Sequence, residues 1–98
     1  MERARGWTFL TNHARVLLAL ARDPSARLRD IAAACHITER RTQDIIAALE
    51  EAGYLSRERK GRRTQYKLHL DVAFRHPAEA HLPVRSLLVL FASDDSEC

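Results

Sequence analysis

The feature that most constrains this chain is a change of period between residues 28 and 70. Apolar positions first recur every three or four residues, through Leu28, Ile31, Ala32 and Cys35 and again through Thr42, Ile45, Ile46 and Leu49. Beyond Gly53 they alternate, with Tyr66, Leu68 and Leu70 separated by Gln65, Lys67 and His69. The first spacing is that of helices with one buried stripe, the second that of a half-buried strand. The order is therefore helix, turn, helix, hairpin, and a further helix precedes it.

Punctuation sets the boundaries. The first helix begins near Thr8 or Thr11 and ends before Asp23-Pro24, since proline cannot continue it. Ser25-Ala26-Arg27 reads as a linker or a very short strand. A second helix spans 28–35, and His36-Ile37-Thr38 is a tight connection. Thr38 is a good N-cap for a third helix over 39–52, and Gly53 supplies the left-handed residue that ends it. Strands are expected at 54–59 and 64–70, with Gly61 marking the turn. Residues 71–82 read as irregular, broken at His76-Pro77. Pro83 is placed to open a last helix, 83–92, and the tail 93–98 is acidic and expected to fray.

Ninety-eight residues, 46% hydrophobic and 30% charged, are expected to form a single domain over 1–98 with one modest core. No run of eighteen apolar residues exists for a membrane span. Arg3 and Arg5 are not followed by the long apolar stretch of a secretory signal. Cys35 and Cys98 lack metal-type spacing and suit a reducing cytoplasm.

The first helix carries more apolar surface than one core needs. Trp7, Leu10, Ala14, Leu17, Leu18 and Ala21 form one stripe, expected to face inward. Phe9, Val16 and Leu20 form a second, with His13 between them. With Leu87, Leu90 and Phe91 of the last helix, that second stripe is expected to meet another copy of the chain, so the terminal segments 7–22 and 83–92 become dimerisation helices. The competing arrangement has the two terminal helices covering each other.

The net charge of +3 conceals a local concentration. Between Arg57 and Lys67 six basic residues stand against Glu58 alone, a net +5 that leaves −2 for the remainder. A positive patch on a nearly neutral body suits a polyanion docked at one place, although a merely solvated hairpin has the same composition. On the third helix, Glu39, Arg40, Arg41, Gln43, Asp44 and Ala47 are expected to face out. Arginine bonds guanine O6 and N7 bidentately, and glutamine pairs with adenine N6 and N7. The second helix braces the third through Ile31, Cys35, Ile37, Ile45 and Leu49, which is how a recognition helix is held out toward a major groove. Thr38, Arg40, Arg41 and Gln43 are thus the candidate groove contacts, and Arg57, Arg59, Lys60, Arg62 and Arg63 the candidate backbone or minor-groove contacts. A solvated helix face with a local Arg40–Asp44 pair is the competing account of the first set. No aromatic residue is interleaved with these basic ones, against stacking on single strands.

The run from Leu28 to Tyr66 resembles the winged helix-turn-helix of MarR-like, ArsR-like and IclR-like regulators. The marks are Ile31-Ala32, Thr42-Gln43, Leu49 with Gly53-Tyr54-Leu55, and the Lys60-Gly61-Arg62 tip. The resemblance covers roughly residues 10–70. It implies a mainly α fold with a small β-hairpin wing, flanked by added N- and C-terminal helices, that binds double-stranded DNA as a homodimer to regulate transcription. No IclR-like effector domain corresponds to any part of the chain, and the paired cysteines of many ArsR-like metal sensors are missing. A metal sensor would draw on Asp71, His76 and His81, with His69, His36 and Cys35 near, but the spacing is not a dependable ligand set. Two more functions fit the same pattern: a regulator gated by a small-molecule effector between the terminal helices and the wing domain, and a protein-interaction adaptor. No cofactor is expected. No Ser-His-Asp set, phosphate loop or carboxylate cluster suggests an enzyme.

Overall fold

The computed structural model describes residues 8–95, and their side chains as far as residue 91. Trp7 and the end of the acidic tail, 96–98, lie outside the described residues. Helix α1 (Asn12–Arg22) starts where Thr11 caps it, the hydroxyl accepting the Ala14 N–H at 3.2 Å. It stops at Asp23, whose N–H still reaches the Ala19 carbonyl before Pro24 turns the chain. The Asp23 side chain then accepts from the Ser25 N–H, closing a turn toward α2 (Leu28–Cys35).

The face that α1 buries is Val16, Leu17 and Leu20, not the stripe expected. Val16 and Leu20, assigned from sequence to a dimer surface, are 0% exposed within the single chain, and that assignment is corrected. The reason is topological. Helix α1 touches α2, α3 and α4, so a wide arc of its circumference is interior. Of the stripe expected inward, Leu17 is buried, Leu18 packs at the core margin and Ala21 is exposed.

Helix α2 buries Ile31, Ala32 and Cys35. It ends in a left-handed residue that is not glycine: His36 has φ +60°. The Ile37 N–H returns to the Ala32 carbonyl and the His36 N–H to Ala33, a Schellman arrangement. Histidine tolerates this region better than most side chains do. Two residues later Thr38 caps α3 (Glu39–Glu51), accepting the Arg41 N–H at 3.0 Å. The same residue's carbonyl accepts both the N–H and the hydroxyl of Thr42, which explains how Thr42 is buried without an orphaned polar atom. Thr42, Ile45, Ile46 and Leu49 form the inward face of α3.

Helix α3 leaves through a second Schellman arrangement, with Gly53 at φ +91°. The Gly53 N–H bonds the Glu50 carbonyl and the Tyr54 N–H bonds Leu49. Because its N–H is spent there, Tyr54 does not open the strand as expected; β1 is Leu55–Lys60 and β2 is Arg63–Leu68. They pair antiparallel from Leu55 opposite Leu68 to Lys60 opposite Arg63, leaving Gly61-Arg62 as a two-residue turn. Only Gly61 of that pair has positive φ (+66°), the pattern of a type II′ hairpin. Tyr54 nonetheless joins three elements. Its N–H holds the end of α3, its carbonyl accepts from His69 just past β2, and its hydroxyl donates to the Ala73 carbonyl at 2.7 Å.

The linker 25–27 forms no strand; one bond, from the Tyr66 N–H to the Pro24 carbonyl, attaches the connection to the free edge of β2. Residues 71–82 are irregular, as expected, but stapled. Ala73 and Pro83 make an antiparallel bridge, with Val84 N–H to Val72 and Phe74 N–H to Leu82. Pro83 therefore sits in this bridge, and α4 begins two residues later, Arg85–Asp95. Val84 caps it, its carbonyl accepting from Leu87 and Leu88. Val84 and Leu88 are buried and Leu87 half-buried, so part of α4 packs on its own chain, while Leu90 and Phe9 stand 65% and 90% exposed. Among the described residues the result is mainly helical, four helices with a two-stranded wing.

Candidate nucleic-acid interface

The burial of one face of α3 dictates what the other presents. At about 100° per residue, the buried positions 42, 45, 46 and 49 lie opposite Arg40, Gln43, Asp44 and Ala47. All four of the latter are exposed. Arg41, also exposed, stands on the flank of that stripe. The first turn of α3 is held from both sides, by the Thr38 cap and by the Schellman turn that ends α2, so its outward residues project from a fixed base. Arg40 approaches Asp44 at only 3.8 Å, with side chains 83% and 60% exposed. Such a pair contributes at most about 0.5 kcal/mol and yields readily to a stronger ligand.

The basic residues of the wing are not equivalent. Arg57 donates from Nε to Glu50 at 3.0 Å, so its charge is largely balanced by the last turn of α3. Arg63 turns back and donates from a terminal nitrogen to the Ser25 carbonyl at 2.6 Å. Arg59, Lys60 and Arg62 are exposed and form no ion pair among the described residues. In sequence all five were candidates, with Lys60, Arg62 and Arg63 the expected anchors. Only the fold separates Arg57 and Arg63 from the rest, by bringing Glu50 to the first and the Ser25 carbonyl to the second. Thr38, expected both to cap and to touch a phosphate, has its hydroxyl oxygen engaged by the Arg41 N–H. Sequence reasoning passed over Arg27, which stands exposed at the start of α2 beside the wing.

Among the described residues no three His, Cys, Asp or Glu side chains come together as a metal site. Three of the histidines considered for that role have local tasks. His36 ends α2, His69 Nε2 lies 3.0 Å from the Ser56 hydroxyl, and His76 Nδ1 accepts the Ala78 N–H. Asp71 pairs with Arg85. Burial pushes the Cys35 thiol above its ordinary value, with the Arg15 charge offsetting part of the rise, which keeps it protonated and unreactive near neutrality. An open, apolar pocket of about 180 Å³ lies between α1, the exit of α3 and α4, lined by Ala14, Leu17, Leu49, Phe74 and Leu87 among others. No helix among the described residues is long and apolar enough to cross a membrane.

A helix braced behind an outward-facing Arg and Gln, next to a basic two-stranded wing, defines a winged helix-turn-helix of the DNA-binding class. A family model described as the MarR family matches residues 8–63, more than half of the chain, and the chain belongs to that family. The three-way resemblance of the sequence thereby narrows to one family, and the protein is a DNA-binding transcription regulator by that membership. The matched residues run from just before α1 to the wing tip and leave out the 72–84 staple and α4. No curated protein matches the chain.

Proposed function

We propose that the protein is a sequence-specific binder of double-stranded DNA that acts as a homodimer, with α3 in the major groove and the wing on the flanking backbone or minor groove. The observation that carries this reading is the outward stripe of α3, where Arg40 and Gln43 project opposite a face that is wholly buried. Arg40 and Gln43 read base edges, and Arg41, on the flank, serves either a base or the adjacent phosphate. Arg59, Lys60 and Arg62 anchor the wing. Self-association is assigned to the outer side of α4 around Leu90 and Phe91 and to Phe9; Leu87 belongs at its margin, and Val16 and Leu20 take no part. With DNA as partner, the site of action is the cytoplasm. Selection of random duplexes by the purified protein, followed by sequencing, tests all of this. An inverted repeat with half-sites about ten base pairs apart supports the dimeric reader. Absence of any retained duplex sinks the proposal.

A further inference from the structure

A second basic feature lies beside the wing. A cavity of about 310 Å³ opens between the hairpin tip and the α1–α2 connection, lined by Arg27, Arg62 and Arg63 together with both polar and apolar neighbours, Ser25 and Leu28 among them. Three arginines line one cavity, and no acidic residue does. Neither Arg27 nor Arg62 forms an ion pair among the described residues, and Arg63 is bound only to the neutral Ser25 carbonyl. Like charges gathered without an ion-pair partner repel, even with the Asp23 carboxylate close by on the Ser25 N–H, and an oxyanion placed among them relieves that repulsion. The Ser25 contact costs Arg63 a single donor of its five and holds the planar group in place, an arrangement suited to bidentate capture of a phosphate. Arg27 also stands at the N-cap of α2 without any side-chain cap, so the helix adds its positive end to the same space. Asp30, the acidic residue of that first turn, does not line the cavity.

We infer that this cavity is a phosphate seat, occupied by one backbone phosphodiester of the DNA, with Arg27, Arg62 and Arg63 as its ligands. The inference rests on the DNA-binding reading above, because Arg62 belongs both to the wing tip and to the seat. It adds Arg27 to the interface and makes the α1–α2 connection a contact in its own right.

Phosphate-ethylation interference on a retained duplex, with the wild-type protein and with Arg27→Ala, tests the inference. Arg27 is exposed and caps α2 through its backbone alone, so the variant is expected to fold; Arg62→Ala serves as a second probe should it not. The expected result is one phosphate per half-site whose ethylation blocks the wild type and not the variant, with a salt slope shallower by about 0.9 per lost contact. An unchanged interference pattern and slope in both variants overturns the seat while leaving the DNA-binding reading intact. Should the wild type retain no duplex, inorganic phosphate titrated against the protein and followed by phosphorus NMR separates the two ideas. Line broadening abolished by Arg27→Ala keeps the seat as a site for a free oxyanion, and no broadening ends it.

Discussion

Replacing Lys60 and Arg62 together by alanine is expected to flatten the salt dependence of DNA binding, whereas removing Arg57 with Glu50 is expected to leave it unchanged. Each phosphate neutralised by a side chain contributes about 0.9 to the slope of log K against log salt. Two lost contacts make the slope shallower by about 1.8 per chain. Between 50 and 200 mM salt that removes about tenfold of the wild type's loss of affinity, by the same relation. Arg57 carries the same formal charge but has its counter-charge 3.0 Å away on Glu50. The double substitution Arg57→Ala with Glu50→Ala therefore removes no net charge. Both groups are nearly half exposed, so the pair contributes less than about 1 kcal/mol to folding and its removal leaves the domain intact. Fluorescence anisotropy on a labelled duplex, at five or six salt concentrations, reads the slopes. Equal flattening in the two double variants would refute the reasoning, since the Glu50 contact would then be shown to yield to DNA.

The remaining expectations concern the scaffold. Thr38→Ala removes the hydroxyl that accepts from Arg41 and should lower unfolding free energy by about 1 kcal/mol in a urea titration, with Thr38→Ser close to wild type. Leu20→Ala should cost about 2–5 kcal/mol, as a fully buried side chain does, while Leu90→Asp should leave chain stability nearly unchanged and shift sedimentation toward monomer. Were Leu20→Ala to dissociate a dimer without loss of stability, its placement in the core would be wrong. The Cys35 thiol is raised in the folded protein, so its stabilising contribution is present below the unfolded thiol's pKa and is lost as pH rises through the folded value. Denaturation midpoints should thus fall above about pH 9, with the fall reduced in Cys35→Ala relative to its own neutral value. Gly53→Ala should destabilise by about 1–2 kcal/mol through backbone strain alone, because no atom lies within 4 Å of the added carbon.

What the sequence made legible was whatever depends on near neighbours along the chain. The Thr38 cap, the Gly53 exit, the inward face of α3 and the Gly61 turn all follow from local chemistry, and the structure has them in those roles. The face of α1 was not legible, because that helix packs against three others and the burial of Val16 and Leu20 is a property of the fold. The ties on Arg57 and Arg63 were hidden for the same reason: their partners, Glu50 and Ser25, lie seven and thirty-eight residues away. Pro83 followed its usual preference for opening a helix only in sequence; in the fold its bridge to Ala73 displaced the helix start to Arg85. His36 gave no signal, since only a small enrichment of histidine in the left-handed region hints at its place.

Tyr54 has a consequence at the scale of the duplex. One residue clasps the end of α3, the strand pair and the segment leading to α4, so α3 and the hairpin are set at one separation. Such a unit behaves as a caliper. With α3 in the groove and the wing on the backbone, as proposed above, duplexes whose grooves lie at that span in their resting shape would be gripped without strain, and stiffer or differently spaced ones would have to be bent to fit. Selectivity then extends to base pairs that no side chain touches.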